Sequence, residues 1–152
     1  MKLEDEIKSK FDSEYHKLGV NIIYTQYYIQ RRIQKLLKPF GLTNQQYNVL
    51  RILKGQYPKA ANINLLIERM LDKQSNASRL VDKLNSKGLV EKNTNEFDKR
   101  NADVTISQKG IELLNEIQPQ LDAHVKEFQV LSVEEAQLLN DLLEKVRVFP
   151  QI

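Results

Sequence analysis

The apolar positions near the start of the chain recur at helical spacing. Between residues 18 and 37 they follow each other at steps of seven, four and three, at Ile22, Ile29, Ile33 and Leu36. This period places them on one stripe of an amphipathic helix, and Pro39 and Gly41 predict where that helix ends. The first element is therefore predicted to be a long helix with one buried side.

Three shorter helices are predicted next. Thr43 and Gln46 have the spacing of a capping box at a helix start, and Asn62 precedes another helical run. From Asp72 to Lys87, polar side chains surround a narrow apolar stripe, and Gly88 suits the left-handed end of a helix. The predicted inward positions of the three helices are Val49, Leu50, Leu53, Ile63, Leu66, Ile67, Met70, Ala77, Val81 and Leu84.

The period changes to two after Gly88. Leu89–Lys92 and Val104–Ile106 alternate between apolar and polar residues, so they predict two short strands. Between them lies a polar stretch, Thr94–Ala102, which is predicted to be the loop of a β-hairpin.

Two helices are predicted after the hairpin. Ser107 is placed to cap a long helix, in which Pro119 predicts a kink or a division into two. Ser132 and Glu135 form a second capping-box pattern. It opens a last helix whose predicted inward positions are Leu138, Leu139, Leu142 and Val146. The predicted fold class is mainly α with one small β-hairpin wing, in a single domain of residues 1–152.

The order of these elements is that of a winged helix-turn-helix lobe over residues 42–106. A helix about 10–12 Å wide fits the major groove of DNA, where polar side chains reach base edges and phosphates. The predicted DNA-binding residues of the polar helix are Gln74, Ser75, Asn76, Ser78, Arg79 and Lys83. Ser75, Asn76 and Arg79 are expected to read bases, while Ser78 and Lys83 are expected to lie nearer the DNA backbone.

The hairpin loop carries the predicted wing contacts. Lys99 and Arg100 are placed to reach an adjacent groove or a phosphate. Asp98 is expected to orient Arg100 rather than to touch DNA, because phosphate repels a carboxylate.

The distribution of charge favours a polyanionic partner, double-stranded DNA. The net charge of the 152 residues is +3, but residues 15–100 carry 16 basic and six acidic side chains. The residues after them carry four basic and nine acidic side chains. Two alternatives stay open, namely a chance division of solvated charges and a winged-helix protein-interaction module without specific DNA binding. The second would predict a neutral recognition face, against which the four cations Arg79, Lys83, Lys99 and Arg100 count.

The composition argues against several other classes. Cysteine is absent, which excludes disulfides, thiolate zinc sites and cysteine nucleophiles. The five glycines form no phosphate-binding loop and the two histidines lie in no nucleophile pattern, so we expect neither an enzyme nor a cofactor. A metal site made of His16, His124, Glu112 and Glu116 is less favoured than two solvated acids on a helix face. The chain has no apolar run long enough for a membrane helix, and its acidic start predicts a cytoplasmic protein.

The chain resembles MarR-type (multiple antibiotic resistance) transcriptional regulators. Residues 75–84 and 87–90 resemble the recognition helix and the following strand of that family, and residues 42–50 resemble its second helix. The run from Asp98 to Gly110 is similar to the wing pattern, with Ile106 and Ser107 in place of the usual Leu-Thr. Lys73 stands where an acidic residue is common at the start of the recognition helix, and a cation there would oppose the helix dipole.

The resemblance implies a homodimer that binds a pseudo-palindromic operator. Residues 1–40 and 107–152 would form the dimerisation helices, and their apolar stripes exceed what one small lobe could bury. The resemblance also implies a repressor that, as in many members, releases its operator when a small ligand binds.

A group of tyrosines suggests where a small aromatic or anionic effector could bind. Tyr24 and Tyr28 are four residues apart on one helix face, Arg31 follows them, and Tyr47 belongs to the next helix. Aromatic rings stack on such tyrosines, and an arginine pairs with a carboxylate. Ordinary packing between dimer helices is the alternative explanation for the same residues.

Overall fold

The structure of the chain is a computed structural model. It describes residues 2–95 and 98–148, with all side chains in these ranges except those of residues 94, 95 and 98–101. Its elements are α1 (Leu3–Ile7), α2 (Glu14–Leu37), α3 (Asn44–Gln56), α4 (Ile63–Arg69), α5 (Ala77–Ser86), β1 (Val90–Asn95), β2 (Asp98–Ile106), α6 (Gln108–Lys126) and α7 (Val133–Val146), with short 3₁₀ turns at Lys38–Phe40 and Glu127–Val130. The described part of the chain is mainly α with one β-hairpin, which confirms the predicted fold class.

The chain divides into two compact units, one up to Ile117 and one from Gln118 onward. In the first unit, α3 and α5 pack on each other and on the hairpin. The fully buried side chains at this centre are Val49, Leu50, Leu53, Val81, Leu84, Val90 and Val104. Most of the predicted inward positions are thus correct. Ile67 is an exception, since its side chain is 41% exposed on the outer side of α4.

The predicted helix starts are confirmed where a side chain accepts a backbone N–H three residues ahead. Thr43 and Ser132 each form a complete capping box, with Gln46 and Glu135 respectively. The side chain of Asn62 caps α4, and Ser107 Oγ accepts from Gly110 N at 3.1 Å. Each of these caps satisfies a donor that the helix cannot satisfy internally.

The hairpin is longer than the sequence predicts. Residues assigned to its loop continue the ladder, so that β1 extends to Asn95 and β2 begins at Asp98. The pairing runs from Val90 opposite Ile106 to Asn95 opposite Asp98, with an irregularity near Asn93. The prediction of a polar loop over Thr94–Ala102 is wrong because ladder hydrogen bonds use the backbone and need no apolar side chains.

A third segment pairs with the hairpin. Ala61 donates to the Val104 carbonyl at 2.9 Å, and Val104 donates to the Ala61 carbonyl at 2.8 Å. This bridge ties the segment before α4 to β2.

Pro119 does not divide its helix. α6 continues through this residue to Lys126, so of the two predicted outcomes the division into two helices is wrong, and the kink stays a prediction. A proline removes one backbone donor, and a long helix can lose one hydrogen bond and persist.

The second unit contains α7, whose apolar stripe lies open. Leu138, Leu139 and Leu142 are 59%, 46% and 50% exposed, so their predicted inward placement is wrong for the single chain. These leucines, with Leu131, line a shallow apolar groove. Among the described residues, no helix is both long enough and apolar enough to cross a bilayer.

Candidate nucleic-acid interface

Helix α5 is the predicted recognition helix, and it begins later than predicted. Asn76 is its N-cap, and Asn76 Oδ1 accepts from Arg79 N at 3.0 Å. Ala77, Val81 and Leu84 are buried beneath the helix, as predicted. Residues 72–75 therefore belong to the turn before α5, so Gln74 and Ser75 lie in that turn rather than on the helix.

The turn between α4 and α5 is held by side-chain hydrogen bonds. Asp72 Oδ1 accepts from Gln74 N at 3.0 Å, and the Asp72 carbonyl accepts from Ser75 N at 3.3 Å. Asn48, from the middle of α3, accepts from Leu71 N at 2.9 Å. These contacts fix the direction in which the chain enters α5.

Lys73 has a different role from the expected one. Its ammonium group donates to the carbonyl oxygens of Ile67 and Glu68 at the end of α4. A cation is favourable at the carboxyl end of a helix, where the unpaired carbonyls point outward. The predicted conflict with the α5 dipole is wrong because α5 begins four residues after Lys73.

A cleft lies between the start of α3 and the exposed side of α5. Its lining residues are Gln45, Asp72, Ser75, Asn76, Arg79, Leu80 and Lys83. Four of them are predicted DNA-binding residues, and the structure brings these together. Ser75 Oγ is buried in the structure without a hydrogen-bond partner. Gln45 also lines the cleft but is not among the residues predicted from the sequence, because the packing of α3 against α5 brings it there.

The outer side of α5 is polar and basic. Ser78, Arg79 and Lys83 are exposed. Asp82 lies beside them and pairs with Lys92 of β1 at 2.8 Å between Oδ1 and Nζ. Two cations of α5 thus face outward, whereas the cation of β1 is held by the helix.

The wing is the hairpin of β1 and β2. Asp98, Lys99 and Arg100 are the first residues of β2 rather than part of a loop. Their side chains lie outside the described residues, and their roles in binding stay predictions.

The expected effector residues are on α2 and α3. Tyr24 donates to Glu6 Oε2 at 2.6 Å, and this carboxylate raises the pKa of the Tyr24 phenol above its ordinary value. Tyr28 accepts a hydrogen bond from Arg32, whose guanidinium lies 5.7 Å from the ring centre. Arg31 is exposed on α2, and Tyr47 is half-buried on α3.

The two histidines have local partners. His16 Nδ1 lies 3.7 Å from an Asp12 oxygen, and His124 Nδ1 lies 3.6 Å from a Glu127 oxygen. Within residues 2–95 and 98–148, no three histidine or acidic side chains are grouped as metal ligands would be.

The chain is similar to known regulators in sequence and in fold. Residues 40–101 match the model of the MarR family. The chain is 31% identical over 121 residues to the HTH-type transcriptional regulator MhqR of Bacillus subtilis, which covers 78% of this chain and 81% of that protein. Its fold is similar to that of a MarR-like transcription regulator from Bacillus cereus, with a TM-score of 0.76, 24% identity, and coverage of 88% of this chain and 96% of that one. It is also similar to BpsR of Bordetella bronchiseptica, whose DNA binding is regulated by 6-hydroxynicotinic acid. That match has a TM-score of 0.76, 20% identity, and coverage of 86% of this chain and 98% of BpsR.

Proposed function

The chain belongs to the MarR family of transcriptional regulators, and from this premise we propose that it is a repressor that binds a pseudo-palindromic operator as a homodimer. The observation that carries the proposal is the division of α5 into two sides. Ala77, Val81 and Leu84 anchor the helix in the core, while Arg79 and Lys83 project from its free side. A helix anchored in this way can place its polar side in the major groove without exposing apolar surface.

Gln74, Ser75, Asn76, Ser78, Arg79 and Lys83 are the proposed contacts of the recognition element, and Lys99 and Arg100 are those of the wing, with Asp98 as the residue that orients Arg100. Arg79 is suited to guanine, because a guanidinium donates to both O6 and N7. Asn76 is suited to donate through Nδ2, because the capping hydrogen bond to its oxygen fixes the orientation of the amide and leaves the nitrogen unused by the cap.

The experiment that tests the function is selection of bound duplexes from a random pool at fixed salt. It should return two inverted half-sites whose centres are about 10–10.5 base pairs, or a multiple of this, apart. Arg79→Gln should relax the preference at one position of each half-site. Arg147→Gln removes the same charge from the end of α7 and should leave the selected sequence unchanged. A wild-type pool without enrichment would reject specific DNA binding and favour a protein-interaction module.

The homodimer is proposed from the apolar surface that the single chain leaves open. Leu138, Leu139 and Leu142 on α7 are between 46% and 59% exposed, and Ile23 on α2 is 56% exposed. Burial of apolar surface stabilises by roughly 25 cal/mol per Å², so the exposed parts of these side chains would be stabilised by packing against a second copy of the chain. Truncation after Leu131 should yield a monomer or an aggregate without tight operator binding. A soluble truncated monomer with full affinity in light-scattering and binding measurements would contradict this.

We also propose that an aromatic or anionic effector binds at Tyr24, Tyr28, Arg31 and Tyr47. Its binding is expected to release the operator. The regulation of BpsR by an aromatic acid supports an effector of this kind. Salicylate at millimolar concentration should weaken operator binding. Tyr28→Ala should reduce this effect, whereas Tyr15→Ala, at an exposed tyrosine near the start of the same helix, should not. If a panel of aromatic acids changes neither affinity nor thermal stability, the pocket assignment is wrong.

A further inference from the structure

The ion pair between Asp82 and Lys92 connects the recognition helix with the wing. Asp82 follows the buried Val81 on α5, and Lys92 lies two residues beyond the buried Val90 on β1. The Nζ–Oδ1 distance is 2.8 Å, and the side chain of Lys92 is 23% exposed against 61% for Asp82. The lysine therefore lies along the protein surface and does not project from it.

The ion pair joins β1 directly to α5. Val90 and Lys92 lie on the same face of β1, because side chains alternate along a strand. Lys92 lies opposite Val104 in the hairpin, and both Val104 and Ala102 of β2 are fully buried. The core therefore holds the hairpin through β2 at this level, and the ion pair adds a contact that fixes β1 against the recognition helix.

We propose that Asp82 and Lys92 are positioning residues, which hold the wing at the angle to α5 that allows both elements to contact one operator. This inference rests on the proposed function. Specific contacts in two grooves need a fixed distance between helix and wing, whereas phosphate contacts on random DNA tolerate variation. The pair should therefore affect the ratio of operator to random affinity more than either affinity alone.

Removal of the Asp82 charge has different expected effects on DNA affinity with and without a positioning role. An acid on the DNA-binding side repels phosphate, so by electrostatics alone Asp82→Asn should tighten binding to every duplex. If the pair positions the wing, the same change should lower the ratio of operator to random affinity by about two- to fivefold, the range that part-exposed ion pairs provide. Lys92→Gln should lower this ratio to a similar extent.

Glu91 supplies a matched control. It is the exposed acid next to Lys92, on the opposite face of β1. Glu91→Gln removes one negative charge, as Asp82→Asn does, from the strand that carries Lys92, and it leaves the pair intact. It should leave the ratio unchanged. The reversed pair, Asp82→Lys with Lys92→Asp, should restore the ratio that each single reversal lowers.

The affinities are measured by fluorescence anisotropy on the full chain, with the duplex recovered by selection and a shuffled duplex of equal composition, over a range of salt. Hydrogen exchange of the wing amides, measured without DNA, supplies a second readout. Exchange at residues 91–95 should rise in Asp82→Asn and in Lys92→Gln but not in Glu91→Gln.

Two results would overturn the proposal. In the first, Asp82→Asn behaves like Glu91→Gln in both measurements. In the second, Lys92→Gln alone weakens both duplexes equally and flattens the salt dependence, which would make Lys92 a direct phosphate contact. If the wild-type protein binds the two duplexes equally, the proposed function fails. The positioning role is tested separately by hydrogen exchange, and unchanged exchange in Asp82→Asn would reject it.

Discussion

Asn76 has two possible roles, and a pair of substitutions separates them. Its oxygen caps α5 by accepting from Arg79 N at 3.0 Å. Bidentate recognition of adenine needs that same oxygen together with the amide nitrogen. An amide oxygen can accept two hydrogen bonds, but the capping bond fixes the orientation of the Asn76 amide. We therefore expect Nδ2, which the cap does not use, to donate to a base acceptor.

Asn76→Ala removes the cap and the amide together. Loss of an N-cap costs about 0.5–2 kcal/mol. For a chain of this size, each kcal/mol lowers the unfolding midpoint by about 2–4 °C. The alanine variant should therefore unfold roughly 1–8 °C earlier, and it should lose base preference at one position of each half-site.

Asn76→Ser keeps a capping oxygen but removes the amide donor. Its thermal midpoint should stay close to that of the wild type, because serine caps helices about as well as asparagine. Its selected DNA should nevertheless lose the same base preference. Calorimetry and selection from a random pool measure the two effects separately. An alanine variant as stable as wild type would reject the cap as a source of stability, and a serine variant with the wild-type sequence profile would reject base reading by the amide.

Three further predictions concern packing, ionisation and the wing. Gly110→Ala should destabilise the fold by about 1–3 kcal/mol in thermal unfolding, because the new Cβ would lie 2.8 Å from Ile106 Cγ1 and closer still to a backbone carbonyl; unchanged stability would contradict this packing. The pKa of Tyr24 is raised in the folded chain, so its hydrogen bond to Glu6 stabilises the fold below pH 10 and is lost as the pH rises through the folded-state pKa. Glu6→Gln should therefore shift part of the tyrosinate absorbance change to lower pH. Titration curves of the variant and the wild type that superimpose would reject the contact. Arg100→Ala should weaken binding to specific and random DNA alike and, if it contacts phosphate, should flatten the dependence of log K on log salt by about one per half-site; unchanged affinity would refute its assignment.

Local signals were sufficient to predict much of the fold. The capping boxes at Thr43 and Ser132 were predictable because both partners lie within four residues of the chain. The stripe of Ala77, Val81 and Leu84 was predictable because one helix period defines it. In each case the stabilising contact is formed by neighbours in sequence, which is where a pattern is informative.

The errors arise where distant residues decide the structure. The start of α5 depends on a turn that Asn48 holds through Leu71 N, 23 residues away. Polar residues of the wing pair as strands because β2 supplies the backbone partners for β1. α1 was not predicted at all, since five residues form no stable helix alone and this one is held by an ion pair of Glu4 with Lys17 at 2.6 Å. Gln45 enters the candidate site through the packing of α3 on α5, which no local pattern reveals.

The intramolecular contacts of the basic side chains in residues 15–100 also bear on what the charge of this segment predicts. Of the 16 basic side chains in residues 15–100, at least six have intramolecular oxygen partners, namely Lys17, Arg32, Lys54, Lys73, Lys87 and Lys92. Lys73 bonds to the end of α4 and Lys92 bonds to α5, so we expect these two to shape the surface more than to neutralise phosphate. The number of cations in the sequence should therefore overestimate the number of phosphate contacts. The salt dependence of operator binding should accordingly be set by a smaller group, with Lys83 of α5 and Arg100 of the wing at its centre, because counterion release counts only the phosphates that the protein neutralises.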